Sequence, residues 1–191
     1  AISLYENGLV VEAIDTLSRA IAENPHESEL YYQLGHIFKD QRAFDKAAQS
    51  YIKVLSLTPH HSGAYTHLGV ALKEMGRFER AIESYQKALH IDPKCVEASI
   101  HLGIAWHDMR EFERAIEAYK NALALEPNMA SLYYNLGNSY YEKGECDNAI
   151  EAYFRALELK PQYASAYTNL AIALKSLGKV DEAILMYEKA L

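Results

Sequence analysis

The side chains best suited to catalysis or metal binding are spread thinly along this chain. Eight histidines and two cysteines occur among its 191 residues, but no group of His, Cys, Asp and Glu has the close spacing of a metal site. No glycine-rich loop follows a predicted strand, so no nucleotide-binding or hydrolase motif is present. Cys146 occupies an otherwise apolar helix position and is predicted to be buried, whereas Cys95 follows a turn proline and is predicted to be exposed. These observations predict no catalytic residue, no metal site and no cofactor, and indicate that the chain is not an enzyme.

The charge and hydropathy of the chain exclude several other classes of function. Nineteen basic and 26 acidic residues give a net charge of −7, which argues against a nucleic-acid partner because phosphate binding needs a basic surface. No apolar run reaches the roughly 18–20 residues of a membrane span, and no segment at the start has the pattern of a signal peptide. The two cysteines make no disulfide framework. We therefore expect no membrane insertion and a cytoplasmic location.

The five prolines of the chain are evenly spaced. Each follows the previous one by 34 residues, at Pro25, Pro59, Pro93, Pro127 and Pro161. A regular period of this length is typical of repeat proteins. A 34-residue frame with proline at position 32 gives a partial repeat 1–27, four repeats 28–61, 62–95, 96–129 and 130–163, and a truncated repeat 164–191. Because the frame begins and ends inside a repeat, the sequence indicates a piece of a longer array.

Each repeat carries the pattern of two amphipathic helices. Positions 4, 7, 8 and 11 share one helical face, and positions 17, 20, 21, 24, 27 and 28 share another. Small residues at positions 8 and 20 let the helices approach closely, and tyrosine at position 24 is expected in the core. The turn falls at position 15, which is occupied by Gly8, Arg42, Gly76, Arg110, Gly144 and Gly178. Glycine ends a helix there at low cost, so the arginines predict strained or differently shaped turns. The sequence thus predicts an all-α stack of helical hairpins without β-strands, because no hairpin can bury both of its faces alone.

This pattern resembles the tetratricopeptide repeat (TPR) family. The match consists of Leu-Gly at positions 7 and 8, Ala and Tyr at positions 20 and 24, and the proline, and in one repeat it runs from Tyr133 through Gly137 to Pro161. The resemblance extends over the entire chain and implies a right-handed TPR superhelix, with residues 1–191 forming a single solenoid domain. It also implies a protein-interaction scaffold that binds a peptide or partner protein in a concave groove lined by the first helices.

The groove positions expected from the resemblance are 2, 5, 6, 9, 12 and 13 of each first helix, and the candidate residues are taken from positions 5, 6, 9 and 12. Helical geometry places positions 2, 5, 6, 9 and 13 opposite the core positions, where they vary without harming the packing. Several of them are apolar and are expected to seat apolar side chains of a peptide. The candidate binding residues are Tyr32, Gln33, His36, Lys39, Thr66, His67, Val70, Lys73, Ile100, His101, Ile104, His107, Tyr134, Asn135, Asn138, Tyr141, Thr168, Asn169, Ile172 and Lys175.

Two alternatives remain open at this point. Position 6 carries a polar row, Gln33, His67, His101, Asn135 and Asn169. This row is similar to the asparagine ladder of O-linked N-acetylglucosamine transferases, so the chain could be the substrate-recognition region of such an enzyme. The other alternative is self-association, because no polar capping helix is visible at either end and uncovered terminal repeats permit end-to-end stacking. A carboxylate clamp of the kind found in TPR co-chaperones is not expected, since Tyr134 stands where the clamp needs lysine.

Overall fold

The computed structural model describes residues 9–191, and in this range it contains eleven α-helices and no β-strand. In chain order the helices are α1 (Val10–Glu23), α2 (Ser28–Asp40), α3 (Phe44–Leu57), α4 (Ser62–Glu74), α5 (Phe78–Ile91), α6 (Val96–Asp108), α7 (Phe112–Leu125), α8 (Ala130–Lys143), α9 (Cys146–Leu159), α10 (Ala164–Ser176) and α11 (Val180–Ala190). The predicted all-α fold is confirmed. From α2 onward, each pair of consecutive helices coincides with one repeat of the 34-residue frame.

The turn inside each hairpin is built around one residue with a left-handed backbone. Its φ is 59° at Arg42, 72° at Gly76, 62° at Arg110, 89° at Gly144 and 76° at Gly178, while Gly8 lies outside the described residues. The two arginines therefore adopt the same type of conformation as the glycines, although their Cβ atoms make it costly. The two arginine turns therefore carry the expected strain, and their shape is the same as that of the glycine turns.

A close contact between the two helices explains the glycine at position 8 in four hairpins, while the α10–α11 hairpin has Ala171 there. A Cβ atom added to Gly35 would lie 2.6 Å from a ring carbon of Tyr51, and one added to Gly137 would lie 2.6 Å from a ring carbon of Tyr153. Both tyrosines are fully buried, at 0% and 1% exposure. Because protein interiors are close-packed, such a ring cannot move away without opening a void elsewhere. Four of the five tyrosines at position 24 thus belong to the core, as predicted, whereas Tyr187 on α11 is 39% exposed and the prediction is wrong there.

The chain divides into two compact units: the first ends at His101 and the second begins at Leu102. The described part of the first unit holds α1 to α5 and the first part of α6, and it includes a core cluster of Ala13, Leu17 and Ile37. The second unit holds the rest of α6 and α7 to α11. One of its core clusters lies among α9, α10 and α11 and includes Tyr153 and Leu170.

The two cysteines do not lie where the sequence placed them. Cys146 is the first residue of α9 and is half-buried, because the first residue of this helix is at the end of the packed face. Cys95 is also half-buried, with its sulfur 3.8 Å from the hydroxyl oxygen of Thr66. The predictions of a buried Cys146 and an exposed Cys95 were therefore both wrong, because each side chain is partly exposed.

None of the described helices combines the length and the apolar composition that a membrane span requires.

Candidate functional site

The candidate binding residues lie on the first helices of the hairpins. Those of the first unit, on α2, α4 and the start of α6, form what we name the first-unit patch: Tyr32, Gln33, His36, Lys39, Thr66, His67, Val70, Lys73, Ile100 and His101. Those of the second unit, on the end of α6, α8 and α10, form the second-unit patch: Ile104, His107, Tyr134, Asn135, Asn138, Tyr141, Thr168, Asn169, Ile172 and Lys175. Most of these side chains are half-buried. The extremes are Thr66 and His67, which are buried, and Ile172 and Lys175, which are exposed.

Thr66 does not face an open groove, and this expectation is corrected. Its side chain has 0% exposure. The hydroxyl donates a hydrogen bond of 3.1 Å to the backbone oxygen of Ser62 and touches the Cys95 sulfur. A threonine on a helix often satisfies its hydroxyl on the preceding turn in this way. Thr66 is therefore a packing residue and cannot contact a partner.

Aromatic and imidazole rings of the first-unit patch pack on one another. The ring centroids of His36 and His67 are 4.5 Å apart, those of Tyr32 and His36 are 4.6 Å apart, and those of Tyr51 and His67 are 5.6 Å apart. His61, which precedes α4, extends the cluster with a centroid distance of 4.7 Å to Tyr32. Because these rings cover one another, much of the surface that the sequence analysis assigned to ligand binding is not accessible to a ligand.

Glu97, which is not among the candidate residues, contacts two histidines of this patch. Glu97 Oε1 lies 3.7 Å from His67 Nδ1 and 3.7 Å from His101 Nε2. Burial lowers the pKa of His67 to about 4, while the neighbouring imidazole of His101 lowers the pKa of Glu97. His67 is therefore neutral at pH 7, and its contact with Glu97 is polar rather than an ion pair. Glu97 occupies position 2 of the frame, which the resemblance also places in the groove.

An amide pair organises the second-unit patch. Asn138 Oδ1 accepts a hydrogen bond of 2.8 Å from Asn169 Nδ2 and another of 2.8 Å from the Tyr153 hydroxyl. Asn169 Nδ2 also donates to the Tyr134 hydroxyl at 3.1 Å. Burial raises the pKa of Tyr153, so its hydroxyl stays protonated and remains a donor. Both hydrogens of the Asn169 amide nitrogen and the oxygen of Asn138 are thereby engaged.

Two polar atoms of Asn138 and Asn169 are left without a hydrogen bond in the described range, and they define what this pair can bind. The Asn138 amide nitrogen and the Asn169 amide oxygen form no hydrogen bond with any other described residue. Both side chains line a cavity of about 300 Å³ together with His107, Tyr141, Glu142, Tyr153 and Ile172. A donor and an acceptor held side by side match the C=O and N–H groups of a peptide backbone. The pair can therefore receive a peptide group without reading a side chain.

Neighbouring side chains hold the walls of this cavity in place. His107 Nδ1 lies 2.9 Å from the hydroxyl of Ser139, and the Tyr141 hydroxyl lies 3.3 Å from that of Ser176. Ser139 is fully buried. No sequence pattern selects Ser139, or the hydroxyl of the core residue Tyr153, for a part in the site.

The α8–α9 and α2–α3 hairpins differ at frame position 9. In the α8–α9 hairpin this position is Asn138, which accepts from the buried tyrosine of its hairpin. In the first unit the position is His36 in the α2–α3 hairpin, and the buried hydroxyl of Tyr51 has no hydrogen-bond partner among the described residues. Only the second-unit patch therefore presents an ordered amide pair beside a cavity.

Paired helices, left-handed turns and glycine–tyrosine contacts together define a helical-repeat protein. Models described as tetratricopeptide repeat match residues 28–61, 62–95 and 166–191, and a model described as TPR repeat matches residues 105–144 and 137–178. The chain belongs to the tetratricopeptide repeat family. Its class is accordingly that of protein-interaction scaffolds.

Solved structures give the same result. MamA is 35% identical to this chain over 82% of this chain and 91% of that chain, with a TM-score of 0.78. PilW, a widely conserved type IV pilus biogenesis factor, is 19% identical over 97% and 86%, with a TM-score of 0.85. YrrB, described as a TPR protein with an unusual peptide-binding site, is 21% identical over 91% and 90%, with a TM-score of 0.77. The last two likenesses concern the fold alone. No curated protein sequence matches the chain.

Proposed function

We propose that this chain is a non-catalytic scaffold that binds an extended peptide of a partner protein on the first helices, with the second-unit patch as the anchoring site. The observation that carries the proposal is the polarised pair of Asn138 and Asn169. Their mutual hydrogen bond leaves one donor and one acceptor beside the cavity. An extended peptide has unsatisfied backbone groups of both kinds, and each needs a partner when it leaves water.

The remaining cavity wall supports the same type of ligand. Ile172 is 36% exposed and lines the cavity, so an apolar side chain of the peptide can remove its surface from water there. Glu142 lies at the same cavity and disfavours an acidic residue at that point of the ligand. YrrB, a neighbour in fold, is described by its peptide-binding site, which is consistent with a peptide ligand on this architecture.

The proposal is tested by peptide selection followed by calorimetry. Peptides are selected from a random displayed library on the wild-type protein, and their dissociation constants are measured for wild type, Ile172→Glu and Ile52→Glu. Ile52 is also exposed, at 51%, but lies on α3 in the first unit, so its variant is a matched control. We expect Ile172→Glu to weaken binding by about tenfold or more, because a buried apolar contact is replaced by a charge, and Ile52→Glu to have no effect. Failure to enrich any peptide, or equal affinity of both variants, would contradict the proposal.

A second candidate function is self-association through α11, which has an exposed apolar face. Val180, Ile184 and Leu185 are 53%, 51% and 54% exposed. Tyr187 is 39% exposed, whereas its frame equivalents are almost completely buried; these are Tyr51, Tyr85, Tyr119 and Tyr153. Apolar patches of this kind often mark interfaces. Light scattering over a dilution series should show a molecular mass that rises with concentration in the wild type but not in Leu185→Glu. A monomer mass of the wild type at every concentration would exclude self-association.

A further inference from the structure

A second groove lies on a different face of α2, between α2 and α3. It has a volume of about 390 Å³ and is lined by Tyr31, Leu34, Phe38, Lys46, Gln49, Ser50 and Lys53. We name it the α2–α3 groove. Tyr31, Leu34 and Phe38 are spaced by three and four residues along α2, so they share one helical face. The patch residues Tyr32 and His36 lie on another face of the same helix. This groove is therefore distinct from the surface to which peptide binding is assigned above.

The α2–α3 groove combines an aromatic floor with two lysines. Lys46 Nζ lies 5.5 Å from the ring centroid of Phe38, and Lys53 Nζ lies 5.7 Å from that of Tyr31. Both lysines are exposed, and neither forms an ion pair with a residue in the described range. No carboxylate lines the groove. In a protein with a net charge of −7, this is a local basic and apolar surface.

Equivalent grooves in two other hairpins have a different charge. The groove at α4 and α5 has a volume of about 540 Å³ and includes Tyr65, Lys87 and Glu83. The groove at α8 and α9 has a volume of about 160 Å³ and includes Tyr133, Arg155 and Glu151. Glu83 and Glu151 occupy frame position 22, where the α2–α3 groove has Gln49. Of these three grooves, only the one at α2 and α3 lacks a carboxylate.

We propose that the α2–α3 groove binds an acidic segment of a partner protein that carries an aliphatic or aromatic side chain. The apolar side chain packs on Tyr31, Leu34 and Phe38, which removes their partly exposed surface from water. Carboxylates beside it pair with Lys46 and Lys53, whose positions over the rings hold their ammonium groups at the mouth of the groove. A basic segment would meet two uncompensated lysines and be rejected.

The test uses a fluorescent peptide with Leu-Phe flanked on each side by glutamates, and a counterpart in which lysines replace the glutamates. Fluorescence anisotropy measures both peptides with wild type, the double variant K46E/K53E and the double variant K87E/K120E. The last is a matched control, because it makes the same change of net charge at lysines that lie 5.8 Å and 5.6 Å from the rings of Tyr65 and Tyr140. Gln49→Glu is a fourth protein, which gives this groove the carboxylate of the other two.

We expect wild type to bind the acidic peptide in preference to the basic one, with an affinity that falls as salt is added. K46E/K53E should weaken binding by about tenfold or more and Gln49→Glu by a smaller factor, while K87E/K120E retains it. The proposal is overturned if the acidic peptide does not bind, if the basic peptide binds as well, or if the two double variants lose the same affinity. Tighter binding of a single-stranded oligonucleotide of equal charge would overturn it too.

Discussion

The side-chain oxygen of Asn138 lies 2.8 Å from the amide nitrogen of Asn169 on the first helix of the next repeat. This hydrogen bond does two things at once. It joins α8 to α10 across the patch, and it fixes which end of each amide faces the cavity. A pair of asparagines without this contact could turn either end outward, and the site would then have no defined polarity. The peptide-binding proposal depends on this one relationship.

Asn138→Ala should lower the stability of the protein as well as its affinity. The variant leaves the hydroxyl of Tyr153 buried without an acceptor and frees the amide of Asn169. An unsatisfied buried polar group costs about 1–3 kcal/mol, and urea unfolding measures that loss. Asn121→Ala, at an exposed position of α7, is the control and should change stability by less than about 0.5 kcal/mol. Equal effects of the two substitutions would show that the hydrogen bonds of Asn138 are not made in solution.

Arg42→Gly should stabilise the protein, although it removes side-chain contacts. Arg42 has a φ of 59°, and a left-handed backbone costs a residue with a Cβ about 1 kcal/mol more than glycine. Its exposed contact with Glu74, at 4.0 Å, returns little of this cost. Thermal unfolding should show a higher midpoint for Arg42→Gly. Arg77→Gly, at a φ of −93°, should show no gain. A lower midpoint for Arg42→Gly would mean that the arginine's contacts outweigh the strain.

Gly103→Ala should destabilise the second unit, because the added methyl group has no space. Its Cβ would lie 2.5 Å from a ring carbon of Tyr119, which is 2% exposed. Overpacking of this kind costs about 1–3 kcal/mol. In a double-mutant cycle with Tyr119→Leu, the combined loss of stability should be smaller than the sum of the two single losses, since the smaller side chain relieves the clash. If the two single losses of stability simply add, the clash with Tyr119 is not the cause of the destabilisation by Gly103→Ala.

Acid should destabilise the first unit through His67. Burial holds the pKa of this imidazole at about 4 in the folded protein, below its ordinary value of 6.5. The unfolded chain therefore binds the proton first, and stability falls as the pH drops from about 6.5 towards 4. The lowered pKa of Glu97 acts in the same direction at the acid end of this range. The lowered pKa of His67 corresponds to a loss of roughly 3 kcal/mol at most in the free energy of unfolding.

Unfolding midpoints between pH 7 and pH 4 measure this loss for wild type and for His67→Gln, which cannot titrate. The variant should lose less stability over the interval. His26→Gln, at an exposed histidine, should follow the wild-type curve. If His67→Gln also follows that curve, acid destabilises the protein at other groups.

The 34-residue period was sufficient to predict the hairpins, their left-handed turns and the buried tyrosines, because these depend on contacts inside one repeat. It could not predict which side chains of the first-helix face are open. Thr66 and Thr168 occupy the same frame position, yet Thr66 is buried and Thr168 is half-buried. Thr66 is covered in part by Cys95, which lies outside its own helix, so its burial depends on a contact that the pattern of one helix face does not describe.

The amide site shows the same limit. Asn138 and Asn169 could be named from the sequence as two members of a polar face. Their joint orientation could not, because it depends on the hydroxyls of Tyr153 and Tyr134. Tyr153 carries the signal of a core residue in the sequence, and only the geometry reveals that its polar end reaches the site.

The central claim, that the Asn138–Asn169 pair receives the backbone of a bound peptide, is tested most directly by nuclear magnetic resonance of the two side-chain amides. The protein is labelled with ¹⁵N, and a peptide selected on the wild type is added in steps. The account predicts that the side-chain NH₂ resonances of Asn138 and Asn169 shift in a saturable manner, with the same dissociation constant as calorimetry gives, while that of Asn121 does not move. Saturable peptide binding that leaves the resonances of Asn138 and Asn169 unchanged would contradict it.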